Sequence, residues 1–285
     1  MTSTQQSVLV GLIGAGIQAS RTPAMHEREG SAQGLHYTYR LIDLEKLNVG
    51  AEALPDLIAD AERQGFAGLN ITYPCKQSVI PLLTALTDDA RALGAVNTVV
   101  FRDGGRIGHN TDWWGFAESF RRGMAGAKLD RAVQLGAGGA GSAVAHAALT
   151  LGIGHLTIFD IEARRARQVA ASLASRFGES RVVAGTDLPA AMTQADGLIH
   201  ATPTGMVKLP GLPLPAALLR PQLWVAEIVY FPLETELLRA ASKLGCRTLN
   251  GGGMAVFQAV EAFRLFTGIT PDAERMSRHF ASMGS

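Results

Sequence analysis

Two short runs in this 285-residue chain hold the residues best suited to chemistry. Gly68-Leu69-Asn70-Ile71-Thr72-Tyr73-Pro74-Cys75-Lys76 sets a lysine among amide and hydroxyl groups, and Gly108-His109-Asn110-Thr111-Asp112 does the same for an aspartate. Oxidising an alcohol needs a proton acceptor at the hydroxyl, and reducing a ketone needs a donor there, so one group can serve both directions. Lys76 could take that role if desolvation or nearby positive charge helps it lose its proton. A carboxylate beside it favours the ammonium, so Asp112 is better suited to holding lysine and substrate in place. Neutral donors and acceptors around such a pair fit a polyol, because a hydroxyl left unpaired costs about 1–3 kcal/mol and so discriminates analogues. The pattern points to a redox enzyme for a small hydroxylated substrate.

A glycine-rich turn lies downstream. Gly136-Ala137-Gly138-Gly139-Ala140-Gly141 follows an apolar run and opens into Ser142-Ala143-Val144, the strand-to-helix setting that a dinucleotide loop requires. Its glycines permit the tight turn and let a pyrophosphate approach the backbone, while the helix start aims amides at the charge. Asp160, ending Ile158-Phe159-Asp160, stands where the adenosine ribose hydroxyls are held. Gly14-Ala15-Gly16-Ile17-Gln18-Ala19, with Asp43 closing the next apolar run, has the same grammar. There, however, Thr22-Pro23 reads as a helix N-cap with proline at the first helical position, so the helix should start too late to aim amides at a phosphate. The intervening loop would expose the hydroxyls of Ser20 and Thr22, which suit a small carboxylate or diol.

These groups need a frame. Val8–Ile13, Tyr37–Ile42, Gly68–Ile71 and Thr98–Phe101 read as strands, and Ala24–Gln33, Ala51–Gln64 and Lys76–Leu86 as helices. The alternation predicts a parallel sheet with crossover helices. The second half repeats it with strand Ala132–Leu135, helix Gly141–Leu151, strand His155–Asp160, helix Glu162–Phe177, and strands Gly197–Ala201 and Leu223–Ile228. The expected fold class is α/β in two domains. An N-terminal α/β substrate domain spans 1–118 and is completed by 254–285, where the apolar helix Met254–Thr267 returns after the turn Asn250-Gly251-Gly252-Gly253. A Rossmann-type, doubly wound dinucleotide-binding domain spans 119–253, its boundary set by the helical stretch Trp113–Gly126.

The composition is that of a globular α/β protein, 47% hydrophobic and 18% charged with 32 glycines. A net charge of +1 with interspersed signs leaves no electrostatic footprint for nucleic acid or a membrane surface. Met1–Ser7 lacks the basic and apolar regions of a signal peptide, and no apolar stretch approaches bilayer length, so the expected location is cytoplasmic. Cys75 and Cys246 are too few for a disulfide framework, the seven histidines show no metal-ligand spacing, and no metal is expected. No Gly-x-Ser-x-Gly elbow is present for a hydrolase.

Taken in order, the segments resemble the shikimate dehydrogenase family over nearly the whole chain, most nearly its quinate/shikimate dehydrogenase branch. They are Ser20-Arg21-Thr22-Pro23, Asn70 to Lys76, Gly94-Ala95-Val96-Asn97-Thr98, Asn110-Thr111-Asp112, the glycine loop, Ala201-Thr202-Pro203-Thr204-Gly205-Met206, Tyr230-Phe231-Pro232 with Thr235, and Met254 with Gln258. The resemblance implies reversible oxidation of shikimate to 3-dehydroshikimate, with Lys76 as the acid/base assisted by Asp112. It implies that Ser20 and Thr22 hold the substrate carboxylate, that Asn70, Thr72, Asn97, Asp112 and Gln258 take ring hydroxyls, and that Tyr230 adds a contact. Thr202, Gly253 and Arg165 join the glycine loop and Asp160 as expected dinucleotide contacts. The family contains both monomers and homodimers.

Several positions depart from the family pattern. Thr22 stands where strict shikimate enzymes usually carry serine, and a threonine there suggests that quinate is accepted. NADP-preferring members usually follow the second strand with an Asn-Arg-Thr type run, whereas this chain has Asp160-Ile161-Glu162-Ala163-Arg164-Arg165. A carboxylate about 4 Å from a 2′-phosphate costs roughly 1–4 kcal/mol, enough for about tenfold, so NAD is expected over NADP with Arg164 and Arg165 blunting the difference. His200 and Glu227 replace residues more often Asn and Asp. Two alternatives stay open, an aminoshikimate dehydrogenase using the same lysine and aspartate, and a catalytically silent dinucleotide-binding sensor.

Overall fold

The computed structural model describes residues 6–283, so expectations resting on Met1–Gln5 and on the last two residues fall outside it. The chain forms two compact units, one of residues up to Thr111 together with those from Gln258 onward, the other of Asp112–Phe257. The divisions thus fall a few residues from the 118/119 and 253/254 boundaries expected above. The first follows from the helix Thr111–Gly123, whose Phe116, Ala117 and Phe120 pack into the core of the second unit.

Among the described residues, the sheet of the first unit has six strands in the order β2-β1-β3-β5-β6-β4. They are β1 (Ser7–Gly14), β2 (His36–Asp43), β3 (Gly68–Ile71), β4 (Ala85–Leu86), β5 (Thr98–Arg102) and β6 (Gly105–His109). The sheet is mixed rather than parallel throughout. β1 runs parallel to β2 and β3, but β5 is antiparallel to both β3 and β6. The antiparallel half arises from a hairpin in which Arg102 pairs with Gly105 and both loop residues, Asp103 (φ 53°) and Gly104 (φ 73°), take left-handed backbone. That is the turn an Asp-Gly pair favours. Period-2 alternation buries both faces: Val8, Val10 and Leu12 join Tyr37, Tyr39, Phe263 and Phe266 on one side, while Ile13, Leu69, Ile71 and Val99 join Ile58 and Val79 on the other.

Two local expectations need correction. Lys76–Leu86 is not a helix but a series of turns, a 3₁₀ turn at Ile80–Leu82, and the two-residue strand β4 beside β6. Pro81 offers no N–H and its ring blocks a continuing α-helix, so the spacing of Val79, Leu82, Leu83 and Leu86 misleads. Thr22 is not the N-cap of its helix either. The helix is Thr22–Ala32 and Arg21 holds the cap position without a side-chain hydrogen bond, since a guanidinium only donates, while Ser20 Oγ accepts the Thr22 N–H (3.4 Å).

The second unit contains β7 (Arg131–Leu135), β8 (His155–Phe159), β9 (Val182–Ala184), β10 (Gly197–His200), β11 (Trp224–Glu227) and β12 (Arg247–Leu249), ordered β12-β11-β10-β7-β8-β9. Every pairing is parallel. This is the doubly wound arrangement, with its switch point between β7 and β10. Helices Gly139–Thr150 and Ala163–Phe177 follow β7 and β8, and apolar clusters cover both sheet faces.

Candidate active site

In the first unit the order of connection reverses at β1, so the C-terminal ends of β1 and β3 flank the crevice where an open α/β sheet binds ligands. Register brings the later segments to the same end. Thr98, opening β5, stands opposite Asn70 of β3 on one side and His109 of β6 on the other. A buried hydrogen-bond chain follows from that register. Asn70 Nδ2 donates to Thr98 Oγ1 (3.0 Å), Thr98 Oγ1 donates to Asn97 Oδ1 (3.1 Å), and Asn97 Nδ2 donates to Thr111 Oγ1 (2.9 Å) while its Oδ1 accepts the Thr111 N–H (2.7 Å). The Tyr39 hydroxyl donates to Asn70 Oδ1 (2.7 Å) and fixes the orientation of that amide.

Lys76 is anchored next to this chain, its carbonyl accepting the Val96 N–H (2.9 Å) immediately before Asn97. Thr72 is tied to the end of β1 by its N–H to Ile13 O (2.9 Å). A Cβ on Gly14 would come within 2.2 Å of Thr72 Cγ2, so that glycine makes room for Thr72 rather than for a phosphate. The structure therefore brings Asn70, Thr72, Asn97 and the Lys76 backbone together. Ser20, on the loop after β1, and Thr22, the first residue of the helix Thr22–Ala32, are half-buried, and Gln258 is half-buried on the helix Gly252–Thr267. Asp112 is buried in the first turn of the helix Thr111–Gly123, where an acidic group complements the helix dipole. Tyr230 is exposed after β11 in the second unit.

Burial pushes the Cys75 thiol up, which suppresses the thiolate a covalent mechanism would need. Burial also holds the His109 imidazole below its ordinary value, with Glu261 opposing and Arg264 and Arg102 reinforcing the shift. Sequence reasoning did not single out Tyr39 or Thr98, both buried links of the chain. A polar residue placed within or at the mouth of an apolar strand is the trace each leaves in the sequence.

In the second unit the loop after β7 fits a dinucleotide. Gly136 has φ 101° and sits where a Cβ would come within 2.3 Å of Ala201 O, while a Cβ on Gly141 would come within 2.4 Å of Gly136 O. Gly138 and Gly139, at the start of the following helix, face open space, and Gly138 caps it without a side-chain hydrogen bond. First-turn amides unclaimed by a cap are what a pyrophosphate needs. Gln134, also missed from sequence, donates through Nε2 to Gly136 O and Gly141 O (both 2.8 Å) and holds the two ends of the loop. Asp160 accepts the Ala137 N–H (2.7 Å) and the Glu162 N–H (2.9 Å), and Arg165 pairs with Glu162 (2.8 Å). Thr202 follows β10 and Gly253 is the second residue of the helix Gly252–Thr267, where a Cβ would meet Ser119 Oγ at 2.1 Å. Among the described residues no cluster of three or more His, Cys, Asp or Glu could hold a metal, and no helix is long and apolar enough to cross a membrane.

Comparison with known proteins agrees with this geometry. Residues 12–99 match the shikimate dehydrogenase substrate binding domain, and residues 251–278 match the shikimate 5′-dehydrogenase C-terminal domain. A shikimate dehydrogenase (NADP(+)) of Streptomyces avermitilis is 61% identical over 98% of this chain and 97% of its own. A quinate/shikimate dehydrogenase (NAD(+)) of Corynebacterium efficiens is 47% identical over 97% of this chain and 99% of its own. Among solved structures, the quinate dehydrogenase from Corynebacterium glutamicum in complex with NAD superposes with a TM-score of 0.93 at 47% identity, covering 98% of this chain and 100% of that one. With whole-length relatives at this level of identity, the chain belongs to the shikimate dehydrogenase family of NAD(P)-dependent oxidoreductases.

Proposed function

We propose that this protein oxidises shikimate to 3-dehydroshikimate and runs the reverse reduction, with NAD preferred over NADP and quinate as a second substrate. Shikimate or quinate dehydrogenase activity is what its whole-length relatives are named for. The observation that carries the residue assignment is the buried chain Asn70, Thr98, Asn97, Thr111, which ends one residue from Asp112 and lies against the backbone of Lys76. Such a chain fixes each amide in one orientation, which is how a site tells one pattern of ring hydroxyls from another. Asn70 commits its amide hydrogens to Thr98 and to Asn97 O (3.3 Å) and leaves a lone pair of Oδ1 to accept from a substrate hydroxyl.

When bound, the nicotinamide supplies the hydride acceptor or donor. Lys76 moves the proton of the reacting hydroxyl, with Asp112 orienting the ammonium and the substrate. Ser20 and Thr22 hold the carboxylate, and Thr72, Asn97, Tyr230 and Gln258 complete the substrate contacts. Gly136 to Gly141, Thr202 and Gly253 hold the dinucleotide.

NAD preference rests on Asp160. Two backbone N–H groups fix its carboxylate at the end of β8, where it would bond a ribose diol and repel a 2′-phosphate. Arg165, the residue best placed in sequence to offset that repulsion, is engaged by Glu162. The NADP(+) name of the 61% identical relative runs against this preference, which therefore needs its own measurement. The residue assignment is tested by Lys76→Ala, expected to lower kcat by about 10²–10⁴ while leaving the dinucleotide Kd within about twofold. Retained turnover would refute the role of Lys76.

A further inference from the structure

His200 and Glu227 of the second unit are fully buried and take no part in the chemistry above. They face each other across the C-terminal ends of β10 and β11. His200 Nδ1 lies 2.9 Å from both carboxylate oxygens of Glu227, which also accepts the Val229 N–H (2.9 Å) and the Thr235 hydroxyl (3.1 Å). A carboxylate only accepts, so Nδ1 carries the hydrogen of this bond. The other ring nitrogen, Nε2, is hydrogen-bonded to Thr202 Oγ1, and that oxygen also accepts the Thr204 N–H (3.2 Å).

Charged and polar groups this deeply buried are costly to keep where apolar side chains would pack, so what they hold matters. They hold the segment beside the glycine loop, since a Cβ on Gly136 would come within 3.0 Å of Thr202 Cγ2. In a doubly wound unit the dinucleotide lies across the strand ends at the switch point. With Asp160 marking the adenosine half at β8, the nicotinamide half falls at β10 and β11, where Thr202 is half-buried rather than sealed.

Resting on the dinucleotide reading above, we infer that the His200–Glu227 pair is a positioning device that presents Thr202 Oγ1 to the nicotinamide carboxamide as a hydrogen-bond acceptor. In the neutral tautomer with Nδ1–H committed to Glu227, Nε2 carries no hydrogen and takes the Thr202 hydroxyl hydrogen. The Thr204 N–H takes one lone pair of Oγ1, and the remaining lone pair accepts from the carboxamide NH₂. Thr202 then cannot serve as a donor toward the cofactor.

The test titrates the full-length protein with NADH, with its reduced 3-acetylpyridine analogue, in which a methyl replaces the amino group, and with ADP-ribose, which lacks the nicotinamide. Wild type should favour NADH over the analogue by about fivefold, the worth of one neutral hydrogen bond. Thr202→Val should erase that preference while leaving ADP-ribose affinity unchanged. Imidazole ¹⁵N spectra of the wild type should show His200 protonated at Nδ1 and bare at Nε2, which needs no destabilising substitution of the buried pair. A preference that survives Thr202→Val, an equal loss of ADP-ribose affinity, or a proton on Nε2 would each overturn the inference. If wild type bound none of the three, the dinucleotide reading itself would fall with it.

Discussion

The two glycine loops begin alike and end differently. Each follows an inner strand of its sheet, β1 or β7, and each meets an aspartate at the end of the neighbouring strand. In the first, Asp43 is buried and accepts from Gly16 N (3.0 Å), Ile17 N (3.2 Å), Gln18 Nε2 (2.8 Å) and Glu45 N (3.1 Å). The Gln18 bond leads those that hold its carboxyl below the usual carboxylate range. The protein's own carboxylate fills the place an anion would take. In the second, Asp160 takes a single amide of the loop, and the helix begins at Gly139, inside the motif, with Gly138 and Gly139 facing open space. A glycine motif becomes a phosphate site only where the helix starts within it.

The contrast can be broken most sharply at Gly136. Gly136→Val places a branched side chain at φ 101° against the Ala201 carbonyl and should weaken dinucleotide binding by at least about 100-fold, read by NADH fluorescence titration. Undiminished affinity would contradict the cradle assignment.

The first unit should also lose stability in acid. His26 of the first unit is wholly buried, bonded to the Tyr37 hydroxyl (2.9 Å), and burial lowers its pKa from 6.5 to about 3. Between those values the unfolded chain binds one more proton than the folded one. Stability of the first unit should therefore fall as pH drops through this window, by roughly 5 kcal/mol at most. Urea unfolding against pH should show that slope, and His26→Phe should flatten it. An unchanged slope in the variant would place the titration elsewhere.

Asp160→Ser should raise the NADP to NAD ratio of kcat/KM by about tenfold, since it removes the repelled charge and leaves a small polar group. No change in the ratio would remove Asp160 from cofactor selection. Smallest of all, Asp43→Asn should lower Tm while leaving the dinucleotide Kd unchanged. A shift in that Kd would mean that the first loop is not the closed structure described.

Much of this was legible because it is written in local chemistry. The open loop, Asp160 and the runs holding Lys76 and Asp112 are marked by residue type and spacing, and the doubly wound order follows from alternating strand and helix signals. What was missed had both local and non-local causes. The apolar spacing over Lys76–Leu86 imitates a helix, and only Pro81 argues otherwise. The hairpin joining β5 and β6 is marked in the sequence by Asp103-Gly104, a local signal for the antiparallel half of the first sheet. Tyr39 and Gln134 act through partners distant in sequence or on the far side of a turn, so no pattern around them names their roles. The helix Ala273–Ser282 is held partly by Arg275 Nη2 on Glu29 Oε1 (2.7 Å), a pairing no sequence window spans.

The most direct measurement is initial rates of nicotinamide reduction in a grid of shikimate and quinate against NAD and NADP, with wild type and Lys76→Ala side by side. The account predicts wild-type turnover highest with NAD and shikimate, measurable turnover with quinate, and loss in every condition for Lys76→Ala. Equal rates in the two proteins, or no turnover with either substrate by wild type that binds dinucleotide, would contradict it.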